Sequence, residues 1–540
     1  MTPTTQGRQV SPWLALAVLA LGLFMTLLDL TIVNIAIPSL VSSLQASLDQ
    51  ILWMLNAYSL VFAVLLITAG RLGDIFGPRN LFATGLVVFT AASALSGLAQ
   101  NPGELIAARA GQGLGAALLS PQGLPIMTTI FPADKRGGVF AIYGALAGLA
   151  VLAGPLLGGL IVTHLGWRWI FYVNVPVGLL ALVLTFIVVP DLRPGRRHRL
   201  DLVGVALATL GLFGVIFGLI EGQRYNWGTV SGWLTIPEII AAGVVVLAVF
   251  FFTQYRRQGR EPLLPLAVFR DRNYTLMTLI LAAMGFAMVG LFLPLTIYFQ
   301  SVLGLSALEA GIATAPMPLA MFLLSGPVAA LSNRISAKYI LLIGLTLFVL
   351  GMGYIAWVVQ PDSNRWSFAP GLVVAGVGLA GVWTPVYSLA TRDLKPHLAG
   401  AASGMLATIQ ELGTVLGSAA VGALLSNRLA TAMHDQAVER SSHLPPEFRP
   451  GFLAAFKPTG NLDVGPGQSV PVPPGLPPPV AHLLQQLGHD VFTNAFTQAM
   501  RPSLALPMAI VLLAGLSCLA VRVRSSQVGA GATEAEAAMV

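Results

Sequence analysis

Leu28-Asp29-Leu30-Thr31-Ile32-Val33-Asn34-Ile35-Ala36-Ile37-Pro38 lies inside an apolar stretch that begins near Trp13. The stretch is long enough to cross a bilayer, which takes about 20 residues of helix. A carboxylate at membrane depth is costly and marks a pathway for ions or substrates. Asp29 therefore points to a transporter whose cycle involves a proton.

The rest of the chain fits that setting. It has 540 residues, 56% of them hydrophobic and 9% charged, with a mean hydropathy of +0.79. Soluble globular chains carry about 25% charged residues, so this chain cannot coat a water-soluble surface. An all-α polytopic membrane protein is the class implied. The lone Cys518 excludes disulfides and thiol pairs, and the seven histidines show no metal-ligand spacing. No phosphate-binding glycine loop appears, so the expected energy source is a proton gradient, with no cofactor and no metal. The net charge of +7 reports loops on one membrane face, not nucleic-acid binding. Arg8 followed by Leu14 to Leu28 mimics a secretion signal, but Asp29 and Asn34 stand where small cleavage-site residues belong, so an uncleaved first helix is expected.

About fourteen segments are long and apolar enough to span, near 13–37, 50–70, 80–99, 103–123, 138–163, 168–190, 202–221, 233–254, 274–299, 308–331, 338–359, 369–391, 401–425 and 503–522. The loops support this alternation. One set holds Arg71 and Arg79, Lys135 and Arg136, Arg193 to Arg199, Arg256 to Arg272, Arg334 and Lys338, and Arg392 and Lys395. Among the short loops, the opposite set holds only Arg168, Arg224 and Arg365. Basic loops stay inside, so both termini are expected in the cytoplasm. Gly70 to Arg79 is echoed by the basic stretch from Gly326 to Lys338. That echo predicts an N-terminal six-helix bundle over 1–190 and an inserted two-helix hairpin with linkers over 191–272. A C-terminal six-helix bundle over 273–540 follows, carrying a long extracytoplasmic loop at 426–502. Within that loop, Pro471 to Pro479 reads as stiff polyproline. Ala481 to Met500 reads as a helix lying on the outer surface, either a spacer or a lid.

These residues resemble a known family. Gly70-Arg71-Leu72-Gly73-Asp74-Ile75-Phe76-Gly77-Pro78-Arg79 is similar to the signature loop of the major facilitator superfamily. Arg109, Gln112 and Gly113 match its Arg-x-x-Gln-Gly motif, and Gly154-Pro155-Leu156-Leu157-Gly158-Gly159 resembles its antiporter motif. The Asp29 run, Gly166-Trp167-Arg168-Trp169-Ile170-Phe171-Tyr172-Val173-Asn174-Val175-Pro176 and Asp201-x-x-Gly204 resemble signatures of the fourteen-span drug:proton antiporters of the QacA/EmrB type. Two departures stand out: Pro78 where a basic residue is common, and Ala150 where a further glycine is usual. The resemblance implies the major facilitator fold and multidrug efflux by proton antiport in a bacterial cytoplasmic membrane. The substrates implied are small and amphipathic, cations among them, handled by a monomer in the lipid bilayer that is not an enzyme. Export of an endogenous metabolite, antibiotic or lipid, and proton-coupled import, are the rival readings.

Specific residues carry these expectations. Asp29 lies nine residues before Pro38, and Arg109 lies six after Gly103. At 1.5 Å per residue both sit roughly 9–14 Å from the outer ends of their helices. A shared depth allows proton coupling, or a static ion pair that fixes packing. Glu411 falls near the midplane, as a proton or cation site or as a protonated packing group. Asn34, Tyr58, Gln112, Trp383 and Tyr387 are candidates, with Glu411, for the substrate cavity. Gly70, Asp74, Gly77 and Arg79 are candidates for a conformational latch, with Asp74 facing a helix N-terminus or an arginine of the other half. Gly154, Pro155, Gly158 and Gly159 give a small-faced, kinked fifth span.

Overall fold

The computed structural model describes residues 11–132, 135–192, 200–222, 224–258, 262–332, 334–392, 394, 398–442, 444, 446, 448–456 and 478–521. Arg193, Arg196, Arg197, Arg199, Arg260 and Lys395 of the basic loops, and most of the Pro471 to Pro479 run, fall outside these residues.

The apolar runs are helices. In order they are α1 (Pro12–Leu44), α2 (Leu48–Phe76), α3 (Pro78–Leu98), α4 (Pro102–Leu119), α5 (Gly123–Ile130), α6 (Arg136–Leu165), α7 (Trp169–Tyr172), α8 (Asn174–Val188) and α9 (Leu202–Glu221). There follow α10 (Ile236–Arg256), α11 (Arg272–Ile297), α12 (Ala307–Thr314), α13 (Pro316–Ser332), α14 (Ala337–Val358), α15 (Ala369–Thr391), α16 (Ala399–Ser441), α17 (Arg449–Ala455) and α18 (Pro478–Cys518). Among the described residues, 12 helices are long and apolar enough to cross a membrane. The two other expected segments, 103–123 and 138–163, are also helical, as α4 with α5 and as α6. A two-stranded ribbon, β1 (Thr229–Ser231) with β2 (Leu234–Thr235), joins α9 to α10.

Local chemistry sets the helix ends. Ser47 and Gln50 form a reciprocal capping box on α2. Asn101 caps α4, with Pro102 in its first turn and Glu104 beside the exposed N–H groups. Between α2 and α3 the chain reverses on the single residue Gly77, whose φ of 88° suits glycine. No room is left there for a longer loop, so α2 and α3 are forced into neighbouring antiparallel positions.

Packing divides the helices into two sets. In the first, α1 packs on α6 and α8, α2 on α4, and α3 on α4 and α8. In the second, α11 packs on α16 and α18, α14 on α15 and α18, and α13 on α15. The sets meet where α2 touches α16 and where α6 touches α13 and α15. The α9–α10 hairpin lies over the α2–α16 seam, burying Ala208, Leu212 and Ile216 with Leu60, Val64 and Met405. Its other face exposes Leu210, Phe213, Val245 and Phe252, as expected for contact with lipid.

One expectation needs correction. The 426–502 stretch is not all loop, and 481–500 does not lie flat on a surface. α16 runs 43 residues without a break, and α18 runs 41. At 1.5 Å per residue each is about 60 Å long, against a hydrocarbon layer of about 30 Å. The surplus of both helices projects together beyond the end opposite Gly77. Leu425, Leu429, Met433 and Ala437 recur every fourth residue and join one buried cluster with Leu484, Val491 and Ala495. Arg440 and Asp490 pair across the two helices at 3.1 Å. The buried core thus continues outward along both helices, which a loop would not allow.

Candidate functional site

Asp29 and Arg109 meet. They lie on α1 and α4, are 0% and 1% exposed, and form a direct ion pair through Arg109 Nη1 and Asp29 Oδ2. Asp29 Oδ1 accepts further hydrogen bonds from Gln112 Nε2 at 2.9 Å and from Asn174 Nδ2 at 3.1 Å. Arg109 Nε donates to the Met54 carbonyl at 3.2 Å, and its guanidinium lies 4.6 Å from the centre of the Tyr58 ring. Gln112 Oε1 accepts from Arg109 Nη1 at 3.0 Å and from the Ser96 hydroxyl at 3.1 Å. Ser93 accepts from both amides, Gln112 at 3.1 Å and Asn174 at 3.2 Å, and donates to the Phe171 carbonyl at 2.9 Å.

The cluster uses residues from α1, α2, α3, α4 and α8, and glycines permit it. A Cβ on Gly113 would lie 2.4 Å from the Tyr58 carbonyl oxygen, so α4 can approach α2 only with glycine there. One buried carboxylate is matched by one buried guanidinium and by neutral donors. That balance makes a buried charge tolerable.

Two candidates for the substrate cavity belong instead to this cluster. Gln112 is fully buried and bonded at both ends of its amide, and Tyr58 is stacked under Arg109 with 1% exposure. Asn34 is different: it is exposed, five residues further along α1, with its amide donating to the Leu30 carbonyl at 3.2 Å. Trp383 and Tyr387 stack on one another at 6.2 Å, and Tyr387 meets Phe140 of α6 at 5.7 Å. They line the seam between the two sets. Glu411 is partly buried on α16. No hydrogen bond or ion pair reaches Glu411 from the described residues.

At the Gly77 end, Asp74 bridges the sets. Its carboxylate accepts from the backbone N–H of Gly400 and of Ala401, both at 3.0 Å. These are orphan donors in the first turn of α16, where the helix dipole favours an anion. Gly70 approaches so closely that a Cβ there would lie 2.6 Å from the Gly400 oxygen. Gly77 supplies the turn described above. Arg79 does not reach the second set: it pairs with Asp191 at 3.0 Å, beyond the end of α8. The long arginine follows α3 back along its own bundle, so it braces the loop from within.

Gly154 and Gly158 of α6 face α1. A Cβ on Gly154 would lie 2.0 Å from Thr31 Oγ1, and one on Gly158 would lie 2.9 Å from Ile32 Cγ1. Gly159 faces Leu308 of α12 at an ordinary 3.8 Å. Pro155 lies within α6, and its side chain falls outside the described residues. The small face of α6 therefore seats two residues from Asp29. Sequence reasoning did not single out Ser93 or Asn174. Asn174 stands in the Gly166 to Pro176 run, and its signal was a polar residue opening an otherwise apolar span. Ser93 gave none, because serine is common in membrane helices.

Comparison with known proteins agrees with this architecture. The model of the Major Facilitator Superfamily matches residues 19–418. An uncharacterized MFS-type transporter of Mycobacterium tuberculosis is 42% identical over 423 residues, 78% of this chain and 72% of that protein. The tetracenomycin C resistance and export protein of Streptomyces glaucescens is 33% identical over 504 residues, 92% of this chain and 90% of that protein. The multidrug resistance protein Stp of Mycobacterium tuberculosis is 32% identical over 421 residues, 78% and 77% of the two chains. Among solved structures, the human organic anion transporter MFSD10 superposes with a TM-score of 0.56 at 14% identity, covering 93% of this chain and 100% of that one. That likeness concerns the fold alone. With a family match over most of its length and paired helix sets meeting along α2–α16 and α6–α13, the chain belongs to the Major Facilitator Superfamily.

Proposed function

We propose that this protein is a fourteen-span exporter that moves small amphipathic molecules, drugs and antibiotics among them, out across the cytoplasmic membrane in exchange for protons. Both termini lie in the cytoplasm, which places the Gly77 end inside and the α16–α18 projection outside. The two halves, 1–190 and 273–540, rock about the seam, with the hairpin between them. One observation carries the reading: a buried carboxylate at membrane depth held by a single arginine and by neutral amides. Such a site can take up a proton and lose its ion pair without leaving a second unpaired acid behind. The export and resistance functions named for its relatives support the direction of transport.

With the Asp74 latch made, the inner end is closed and Asp29 is loaded from outside. Protonation removes the charge that Arg109 answers. The halves then rock, the inner end opens, and the proton leaves to the cytoplasm as substrate binds in the space between Glu411, Asn34 and the Trp383–Tyr387 pair. Glu411, an acid with no hydrogen-bond or ion-pair partner among the described residues, gives cationic substrates a counter-charge in a low-dielectric setting.

Asp29→Asn tests this in inverted vesicles. The amide keeps the shape and loses the titration, so efflux driven by a pH gradient should fall to the level of vesicles without the protein. The variant should be produced and remain monodisperse in detergent. Normal gradient-driven efflux by a well-folded Asn variant would reject the coupling role and leave the Asp29–Arg109 pair as a packing element.

A further inference from the structure

Among the described residues, the partners of Asp29 are all donors. Arg109, Gln112 Nε2 and Asn174 Nδ2 each present N–H to it. That environment fits the carboxylate. A protonated Asp29 carries an O–H that needs an acceptor, and a buried donor left without one is expensive. Arg109 cannot accept. Gln112 is fixed in its present orientation, because its Oε1 faces both the Arg109 guanidinium and the Ser96 hydroxyl. Turning that amide over would point its NH2 at a cation.

Asn174 is not held that way. Its Nδ2 donates to Asp29 and Ser93, while its Oδ1 receives no hydrogen bond from the described residues. The residue is 2% exposed and opens α8 directly after the α7 turn, whose Phe171 carbonyl anchors Ser93. The χ2 torsion of asparagine is soft and nearly two-fold, so the amide can turn over where it stands.

We infer that Asn174 is a positioning residue for Asp29 in both of its protonation states: its NH2 donates to the carboxylate and, turned over, its Oδ1 accepts from the carboxylic acid. The proton that arrives on Asp29 thus finds an acceptor that neither Arg109 nor Gln112 offers. On release to water the amide returns, and Ser93 regains its second N–H donor. This rests on the reading of Asp29 as the coupling site.

The experiment uses the full-length protein in proteoliposomes, with Asn174→Leu and Asn174→Ser beside Asp29→Asn. Leucine shares the branched outline of asparagine, is somewhat bulkier and lacks both hydrogen-bonding atoms; serine keeps a donor and an acceptor on a shorter arm. Two readouts are compared: substrate counterflow, which needs no net proton movement, and accumulation driven by a pH gradient. A third is the carbonyl stretch of protonated Asp29, identified in acid-minus-neutral infrared difference spectra as the band that Asp29→Asn removes. Asn174→Leu should lose about tenfold more in gradient-driven accumulation than in counterflow. Its Asp29 band should move to higher wavenumber, and Asn174→Ser should recover part of both. An unmoved band in Asn174→Leu or Asn174→Ser would overturn the inference, as would equal losses of counterflow and accumulation. If Asn174→Leu does not fold, the serine variant's band decides alone. If Asp29→Asn itself retains gradient-driven accumulation, the coupling reading fails first and this inference falls with it.

Discussion

Asp74→Asn should loosen the inner end. In the structure two backbone N–H groups of the first α16 turn, on Gly400 and Ala401, each donate to a separate carboxylate oxygen at 3.0 Å. A hydrogen bond to a charged group contributes about 1.5–3 kcal/mol, and a carboxylate at a helix N-terminus adds about 0.3–1 kcal/mol. Asparagine keeps one acceptor oxygen but turns an NH2 toward the second N–H and removes the charge. Asp74 is 11% exposed, so solvent recovers little of the loss, and the net cost is about 2 kcal/mol. That is about a thirtyfold rise in the open fraction. A cysteine at Met405 can report it. This residue is 3% exposed and buried in the seam with Leu60 and Val64 of α2, away from Asp74 itself. With Cys518 replaced by alanine, maleimide should reach the Met405→Cys thiol only in molecules whose seam has opened, so the labelling rate follows the open fraction. Adding Asp74→Asn should raise that rate about thirtyfold, whereas a rate within about threefold of the parent would refute the latch. Gly400→Ala gives an independent check, because its Cβ would lie 2.1 Å from Asp74 Oδ1 and displace the carboxylate by sterics rather than by charge.

Two further outcomes follow. Glu411→Gln should cost a lipophilic cation about tenfold in resistance and leave a neutral substrate within about twofold, since only the cation loses a low-dielectric charge attraction; equal losses for both would reject a cation site. At the inner base of the hairpin, burial pushes the Asp201 carboxyl up, but the Gly204 N–H, Gln254 and Arg257 outweigh it and hold the group below its ordinary 3.8. A depressed value means the stabilisation is complete above the unfolded value of about 3.9 and is lost as pH falls through the folded one. Asp201 orients Gln254, whose Oε1 accepts from the Leu264 N–H at 2.9 Å. Amide exchange at 262–266, corrected for the intrinsic rate, should therefore rise in Asp201→Asn at neutral pH and in the parent only in acid. Unchanged exchange in the variant would separate the linker from Asp201.

How much of this could be read from the sequence depended on what each residue costs. Asp29 and Arg109 were legible because a charge at membrane depth demands a partner, and helix rise alone put the two at one level. Asp74 was legible because its loop is short and glycine-bounded, so an acid there has few donors except a helix end. Gln112 and Tyr58 were legible as polar groups in spans, but not as members of the Asp29 cluster. Whether a polar side chain faces a cavity or a buried ion depends on rotation about the helix, and small shifts in helix register change that. Asn174 escaped because a buried amide is cheap whenever it finds any partner. The outer halves of α16 and α18 escaped for a different reason. Outside the bilayer a helix needs only one apolar stripe, so Leu425, Leu429, Met433 and Ala437 are diluted among Asn427, Arg428, Asp435 and Glu439.

Two long helices meet at the latch, and on the proposed coupling reading that crossing links Asp29 to the Asp74 end. α2 carries Met54, whose carbonyl holds Arg109, and Tyr58, on which Arg109 lies. Asp74 stands 20 residues beyond Met54 on the same helix, about 30 Å away. From Gly400, α16 runs about 16 Å to Glu411 and then on into the outer projection. A proton on Asp29 weakens the electrostatic restraint on Arg109, and Arg109 is bonded to α2 rather than to α1 alone. Adjacency by itself would not make this a coupling path. What the crossing adds is an element with two discrete states: the Asp74 bonds to Gly400 and Ala401 are either both made or lost together as the helix ends part, because both donors belong to one rigid turn. A small tilt of α2 at the Arg109 level is therefore converted at its far end into a choice between closed and open. Because α16 continues unbroken past Glu411, on that reading the same choice shifts Glu411 and the α16–α18 projection with it.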